Sequence, residues 1–178
     1  MEDLDKLNSI TKYPSIGTYH ELTGKGTLTD NVLEPITKPL IGYVTEKIDG
    51  TNARIIINGN DYFIGSREQL LYAKGDRIKN NTLGIVEELI PVAEKISSRT
   101  QIQDDIFVIY GEVYGYNIGR NYKNYTNSKG LDFRVFDIQL LKFETYNRLL
   151  NETMDKISNW REANSQYFFK VHNMVTLS

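Results

Sequence analysis

The dipeptide Asn58-Gly59 is the strongest local constraint in this chain. Both residues tolerate positive φ, and apolar runs flank them, Ala53 to Ile57 before and Tyr62 to Ser66 after. Asn-Gly between two such runs predicts a β-hairpin, so antiparallel sheet belongs near the middle of the chain. Just upstream, Tyr43-Val44-Thr45-Glu46-Lys47-Ile48 reads as another strand. Downstream, Ile106 to Tyr110 and Phe133 to Ile138 read as buried strands, with a polar, aromatic loop from Tyr114 to Gly130 between them.

Residues 82–97 place Leu83, Val86, Leu89, Ile90, Ala93 and Ile96 at helical spacing, interrupted by Pro91, which predicts a kink. Residues 145–163 carry Tyr146, Leu149, Leu150, Met154, Ile157 and Trp160 on one face, the pattern of one amphipathic helix. Tyr167 to Val175 reads as a last strand, and the turn-rich residues 1–38 read as irregular. Strands, helix, strands, helix is the order of an α+β domain on antiparallel sheet, not of a doubly wound fold. The expected organisation is one domain: a lead-in over 1–40, a core over 41–142, and a C-terminal helix with a last strand over 143–178.

Composition narrows the function classes. A chain of 178 residues buries enough apolar surface to fold without staples. It has no cysteine, which excludes disulfides and thiolate zinc sites. His20 and His172 are too far apart in sequence to form a His-rich metal cluster by themselves. The net charge of −2 means that any polynucleotide surface is a local patch. MEDLDKLNSI has no apolar signal core, and no run approaches the roughly 20 apolar residues of a membrane span. The reading is a soluble, cytoplasmic protein with no membrane partner.

The chemistry concentrates in Glu46-Lys47-Ile48-Asp49-Gly50-Thr51-Asn52. A lysine at a strand end followed by Asp-Gly is a poor core but a good site. Gly50 permits a tight turn and close approach of a ligand to the backbone, and a strand end holds the lysine stem still. The plain alternative is an exposed lysine before a β-turn. Three later segments change that balance: Ser66-Arg67, Tyr110-Gly111-Glu112-Val113-Tyr114-Gly115, and Phe133-Arg134-Val135-Phe136-Asp137-Ile138. Each has its own structural reading. Glu112 fits a carboxylate paired with a lysine, Phe136 fits a core residue, and Arg67 fits a solvated hairpin residue.

Taken together and in this order, the four segments resemble the motifs of the covalent nucleotidyltransferases, which include DNA ligases, RNA ligases and mRNA capping enzymes. The Lys-x-Asp-Gly-Thr-Asn form, with Asn52 where DNA ligases have arginine, resembles the RNA ligase branch, as does the Phe-Asp-Ile ending. The likeness spans roughly residues 41–140. It implies an α+β, antiparallel-sheet nucleotidyltransferase domain of the ATP-grasp-like, ligase-adenylation type.

The same resemblance implies roles. Lys47 attacks the α-phosphorus of ATP and keeps AMP as a phosphoramidate. Glu46 and Ile48 border the adenine. Asn52 sits near the AMP phosphate or the RNA 5′-phosphate, and Arg67 contacts ribose or the accepting phosphate. Glu112 accepts from a ribose hydroxyl, and Phe136 stacks on adenine. Asp137 gains no definite role. A lysine attacks only as the neutral amine, about one in a thousand for an unperturbed lysine near pH 7, so Mg2+ or Mn2+ beside the ATP phosphates is expected to assist. The implied partners are RNA ends bearing a 5′-phosphate and a 3′-hydroxyl.

The likeness also has gaps. Two further family motifs, Glu-Gly-hydrophobic-Val and Lys-x-Lys, are absent after Phe136. The sequence is therefore expected to be incomplete at the C-terminal side, a natural short form, or a degenerate binding module, with truncation favoured and weak AMP transfer by this chain alone. A further chain or segment completing the site is the corresponding expectation. In the loop, Arg120 and Lys123 interleave with Tyr116, Tyr122 and Tyr125, a combination able to grip single-stranded RNA. The competing functions are a DNA ligase or capping enzyme, and a nucleotide- or RNA-binding module without chemistry.

Overall fold

A computed structural model of the protein describes residues 3–15, 20–33, 46–80, 83–99, 105–119, 122–125 and 129–172, with side chains up to 163. The chain forms two compact units that do not follow the sequence boundaries at 40 and 142. One unit joins Met1–Tyr13 to Lys47–Ile157, and the other joins Pro14–Glu46 to Ser158–Ser178.

In the first unit, α1 (Leu4–Ile10) opens with Asp3, whose carboxylate accepts the Lys6 N–H at 3.1 Å. The second unit holds a hairpin of β1 (His20–Leu22) and β2 (Leu28–Val32). Contrary to the expectation from sequence, the described part of 1–38 is thus not irregular throughout. A seven-residue helix and strands of three and five residues are too short for periodicity to reveal.

The larger unit is built on a six-stranded, fully antiparallel sheet. Its strands are β3 (Thr51–Asn58), β4 (Asp61–Ser66), β5 (Leu70–Ala73), β6 (Asp76–Arg77), β7 (Ile106–Gly115) and β8 (Leu131–Leu141), in the order β6-β5-β4-β3-β7-β8. The hairpin forms, but its turn is shifted by one residue. Asn58 pairs with Asp61, leaving Gly59-Asn60 as the loop, with Gly59 at φ +58°. Glycine at the first loop position suits a II′ turn, so Asn58 stays in the ladder.

Between β6 and β7, α2 (Ile85–Ser97) packs Ile85, Val86, Leu89 and Ala93 on Ala53, Ile55, Ile57, Tyr62 and Ile64 of the sheet. The helix runs through Pro91 without a break, and Pro91 faces solvent. Leu83, expected in the apolar stripe, precedes the helix and is exposed. The expected single helix over 145–163 is two: α3 (Phe143–Leu150) and α4 (Met154–His172). The Asn151 amide donates to the Asn147 carbonyl at 2.9 Å as α3 ends, and the Thr153 carbonyl accepts from Ile157 N–H as α4 begins. The expected last strand, Tyr167 to Val175, is helical as far as His172, and 173–175 lie outside the described residues. A short apolar run does not separate helix from strand by periodicity.

The opposite sheet face positions the candidate site. Asn52, Arg54, Tyr110 and Glu112 share it. Arg54 is fully buried. Its guanidinium donates to the carbonyls of Ser66 at 2.9 Å and Arg67 at 3.1 Å, and to the Asn8 side-chain oxygen of α1. Gly65 leaves space for it, since a Cβ there would stand 3.0 Å from Arg54 Nε. The buried arginine thus ties the turn carrying Arg67 to α1. β8 lies at one edge of the sheet, and contrary to expectation Val135, Phe136, Ile138 and Leu140 are exposed. Only β7 pairs with it among the described strands.

Candidate active site around Lys47 and Glu112

Lys47, Ile48 and Asp49 precede β3 and have no strand geometry of their own, while 43–45 lie outside the described residues. The strand expected over 43–48 is therefore not seen in its described part. Lys47 is exposed and Ile48 half-buried. Gly50 presses this segment onto β7. A Cβ on Gly50 would fall 2.4 Å from the Val113 carbonyl and 2.8 Å from Glu112 Cγ. Only glycine fits there, and the backbone N–H of Gly50 donates to the Glu112 carboxylate.

Glu112 gathers the charged groups. Burial pushes its carboxyl above the usual range. The Gly50 N–H and the Lys47 ammonium hold it back, the Asp49 carboxylate adds to the rise, and Arg67 opposes it. Lys47, Asp49 and Arg67 thus act electrostatically on a single carboxylate. Arg67 is exposed, its Nε 3.7 Å from Glu68 Oε1. Directly across the ladder from Glu112 stands Asn52. Its Oδ1 is buried and has no hydrogen-bond partner among the described residues. Such an atom costs stability unless something bonds to it.

Phe136 reaches the same face through a β-bulge. β8 pairs Asp137 with Tyr110 but Val135 with Gly111, which leaves Phe136 as the extra residue. Consecutive residues normally point to opposite faces. Here both meet Tyr13, whose hydroxyl donates to Asp137 Oδ2 at 3.2 Å and whose ring lies 5.1 Å from Phe136, edge to face. Tyr13 also packs on Tyr110 at 4.8 Å, two residues along β7 from Glu112. Burial, then the Asp137 carboxylate, pushes the Tyr13 hydroxyl strongly upward, so it stays a donor.

The sequence family described as RNA ligase matches residues 42–172. The chain belongs to the RNA ligase family. Comparison with curated protein sequences finds no match. Among solved structures, two variants of the Naegleria gruberi RNA ligase, each with ATP and Mn, are similar at 18% and 19% identity. Both have a TM-score of 0.37, and the likeness covers 62% of this chain and 31% of theirs. The chain therefore spans about a third of the length of these solved relatives.

Within this RNA ligase-family chain, Lys47, Asn52, Arg67 and Glu112 cluster around one end of β3 and β7, and Phe136 adjoins along the same face. Glu46 is exposed. Lys123 is exposed in a short 3-10 turn, Tyr122–Asn124, and Arg120 lies outside the described residues. Sequence reasoning missed Tyr13 and left Asp137 without a role. No pattern in the sequence singles out Tyr13, and none in β8 announces a bulge. No three His, Cys, Asp or Glu side chains gather as a metal cage among the described residues. No described helix is long and apolar enough to cross a membrane.

Proposed function

We propose that this chain carries out RNA ligase chemistry through a covalent lysyl-AMP. Lys47 Nζ attacks the α-phosphorus of ATP and loses its proton. The bond from phosphorus to the bridging oxygen breaks, and pyrophosphate leaves. An RNA 5′-phosphate oxygen then takes the AMP from Lys47, and a 3′-hydroxyl displaces AMP from that end as the strands join. Glu112 would accept from the ribose, Phe136 would stack on adenine, and the Asn52 side-chain NH2 and the Arg67 guanidinium would donate to phosphate oxygens, while Glu46 and Ile48 border the base.

The observation that carries this reading is the convergence of Lys47, Arg67 and Asp49 on Glu112, directly across the ladder from Asn52. Asp49 and Glu112 fit a hard divalent cation, because Mg2+ uses one or two carboxylates together with substrate phosphates. When bound, Mg2+ or Mn2+ would neutralise phosphate charge and align the leaving pyrophosphate. Lys123 and Arg120 would grip the RNA strand from the β7–β8 crossover.

The test is incubation with ATP labelled in its α-phosphate, with Mg2+ or Mn2+, followed by peptide mapping. Label on Lys47, absent from Lys47→Ala, is the expected result. Label on another residue, or equal labelling of Lys47→Ala, overturns the assignment. GTP in place of ATP distinguishes a capping-type enzyme.

A further inference from the structure

The segment that carries Lys47 is gripped from the β7–β8 crossover as well as from β7. The Asp49 N–H donates to the Tyr125 hydroxyl oxygen at 3.0 Å. On the same β7–β8 connection, Gly119 sits against the carbonyl of Asp49. A Cβ on Gly119 would lie 2.3 Å from the Asp49 carbonyl oxygen, and its φ of +74° favours glycine. We infer that Tyr125 is a positioning residue for the nucleophile: its hydroxyl, held by the crossover, fixes the backbone from which Lys47 projects.

The grip is itself well supported. Ile118 is buried in the main core, so the crossover is anchored next to Gly119. The Tyr125 ring packs edge to face on Tyr114 at 5.5 Å. Tyr114 is in turn fixed, its hydroxyl donating to Asp132 Oδ2 of β8 at 2.9 Å. The Tyr125 N–H donates to the Tyr122 carbonyl at 3.1 Å, which closes the turn. Both neighbouring strands therefore place the hydroxyl that meets Asp49. Lys47 lies two residues away, ahead of the ladder that begins at Thr51. A nucleophile must be held at one geometry to use its proximity to the substrate. The inference rests on Lys47 being that nucleophile.

Tyr125→Phe deletes one oxygen and keeps the ring that packs on Tyr114. Two measurements decide the matter: amide hydrogen exchange resolved by residue, and single-turnover AMP uptake as a function of ATP. In Tyr125→Phe the Asp49 amide should exchange roughly tenfold faster, while Ile56 and Val108 amides in the sheet stay unchanged. AMP uptake at saturating ATP should fall roughly tenfold with the half-saturating ATP concentration unmoved. General loosening would instead accelerate the sheet amides and raise the ATP requirement, and that pattern overturns the inference. So does an unchanged Asp49 amide, or an unchanged uptake rate in an enzyme that does take up AMP. If the wild-type protein takes up no AMP, Lys47 loses its assigned role. Exchange then decides alone whether Tyr125 holds the segment: a selectively faster Asp49 amide supports it, and an unchanged one sinks it.

Discussion

Asn52 and Glu112 face each other directly across the β3–β7 ladder, so an amide and a carboxyl leave one sheet face side by side. The amide oxygen is buried and unpartnered, which is a cost in the isolated protein. Asn52→Ala should therefore leave the melting temperature unchanged or raise it by up to about 4 °C. AMP uptake should drop roughly tenfold or more, as expected for a lost hydrogen bond to a charged group. Calorimetry and the labelling assay check the two halves. A clear fall in melting temperature would show that Asn52 serves the fold.

The Glu112 carboxyl titrates above its reference value of 4.5 because burial outweighs its favourable partners. A raised folded value places the stability contribution on the protonated form. It is complete below the unfolded value and is lost as pH rises through the folded one. At neutral pH the ionised Glu112 thus weighs against the fold. Glu112→Gln should be more stable than wild type at pH 7, the difference shrinking toward pH 4, while AMP uptake collapses. Urea melts at both pH values test the sign.

Gly50 has no room for a methyl group against Val113 and Glu112. Gly50→Ala should cost about 1–3 kcal/mol from overpacking against a central strand. AMP uptake should fall further than stability explains, since the adjoining segment bears Lys47. Gly24→Ala, where a Cβ meets nothing within 4 Å, is the control expected to change neither.

Arg54 holds three backbone carbonyls and the Asn8 side chain from a fully buried position. Arg54→Leu leaves those partly buried acceptors without their donor. The expected loss is about 3–5 kcal/mol, read as a lower urea midpoint at unchanged slope.

Phe136 is 47% exposed despite its apolar neighbours. Phe136→Ala should cost less than about 1 kcal/mol of stability. If the ring stacks on adenine, ATP affinity should fall by roughly 1–3 kcal/mol, tenfold or more. Titration calorimetry with ATP separates the two effects.

Much of this was legible from local pattern. The β3–β4 hairpin, β7 and α2 are announced by turn chemistry and periodicity, and the antiparallel α+β class follows from their order. The order of Lys47, Arg67, Glu112 and Phe136 singles out four segments, of which the sheet itself sets Glu112 opposite Asn52. What stayed hidden depends on contacts distant in sequence. Tyr13 meets Asp137, and Tyr125 meets Asp49, by single hydrogen bonds that carry no periodic signature. The break at 151–153 was masked because apolar residues continue at helical spacing across it. The exposure of β8 follows from its place at the sheet edge, which local hydropathy does not encode.

The bulge in β8 makes the placement of Phe136 a matter of counting. Alternation along a strand is strict, so one residue more or fewer reverses every side chain beyond it. Deleting one residue between Asp132 and Val135 would let the ladder run unbroken and turn an aromatic ring away from Tyr13 without touching the ring itself. Relatives that keep the ring but lose the extra residue would carry the same aromatic residue in a different wall.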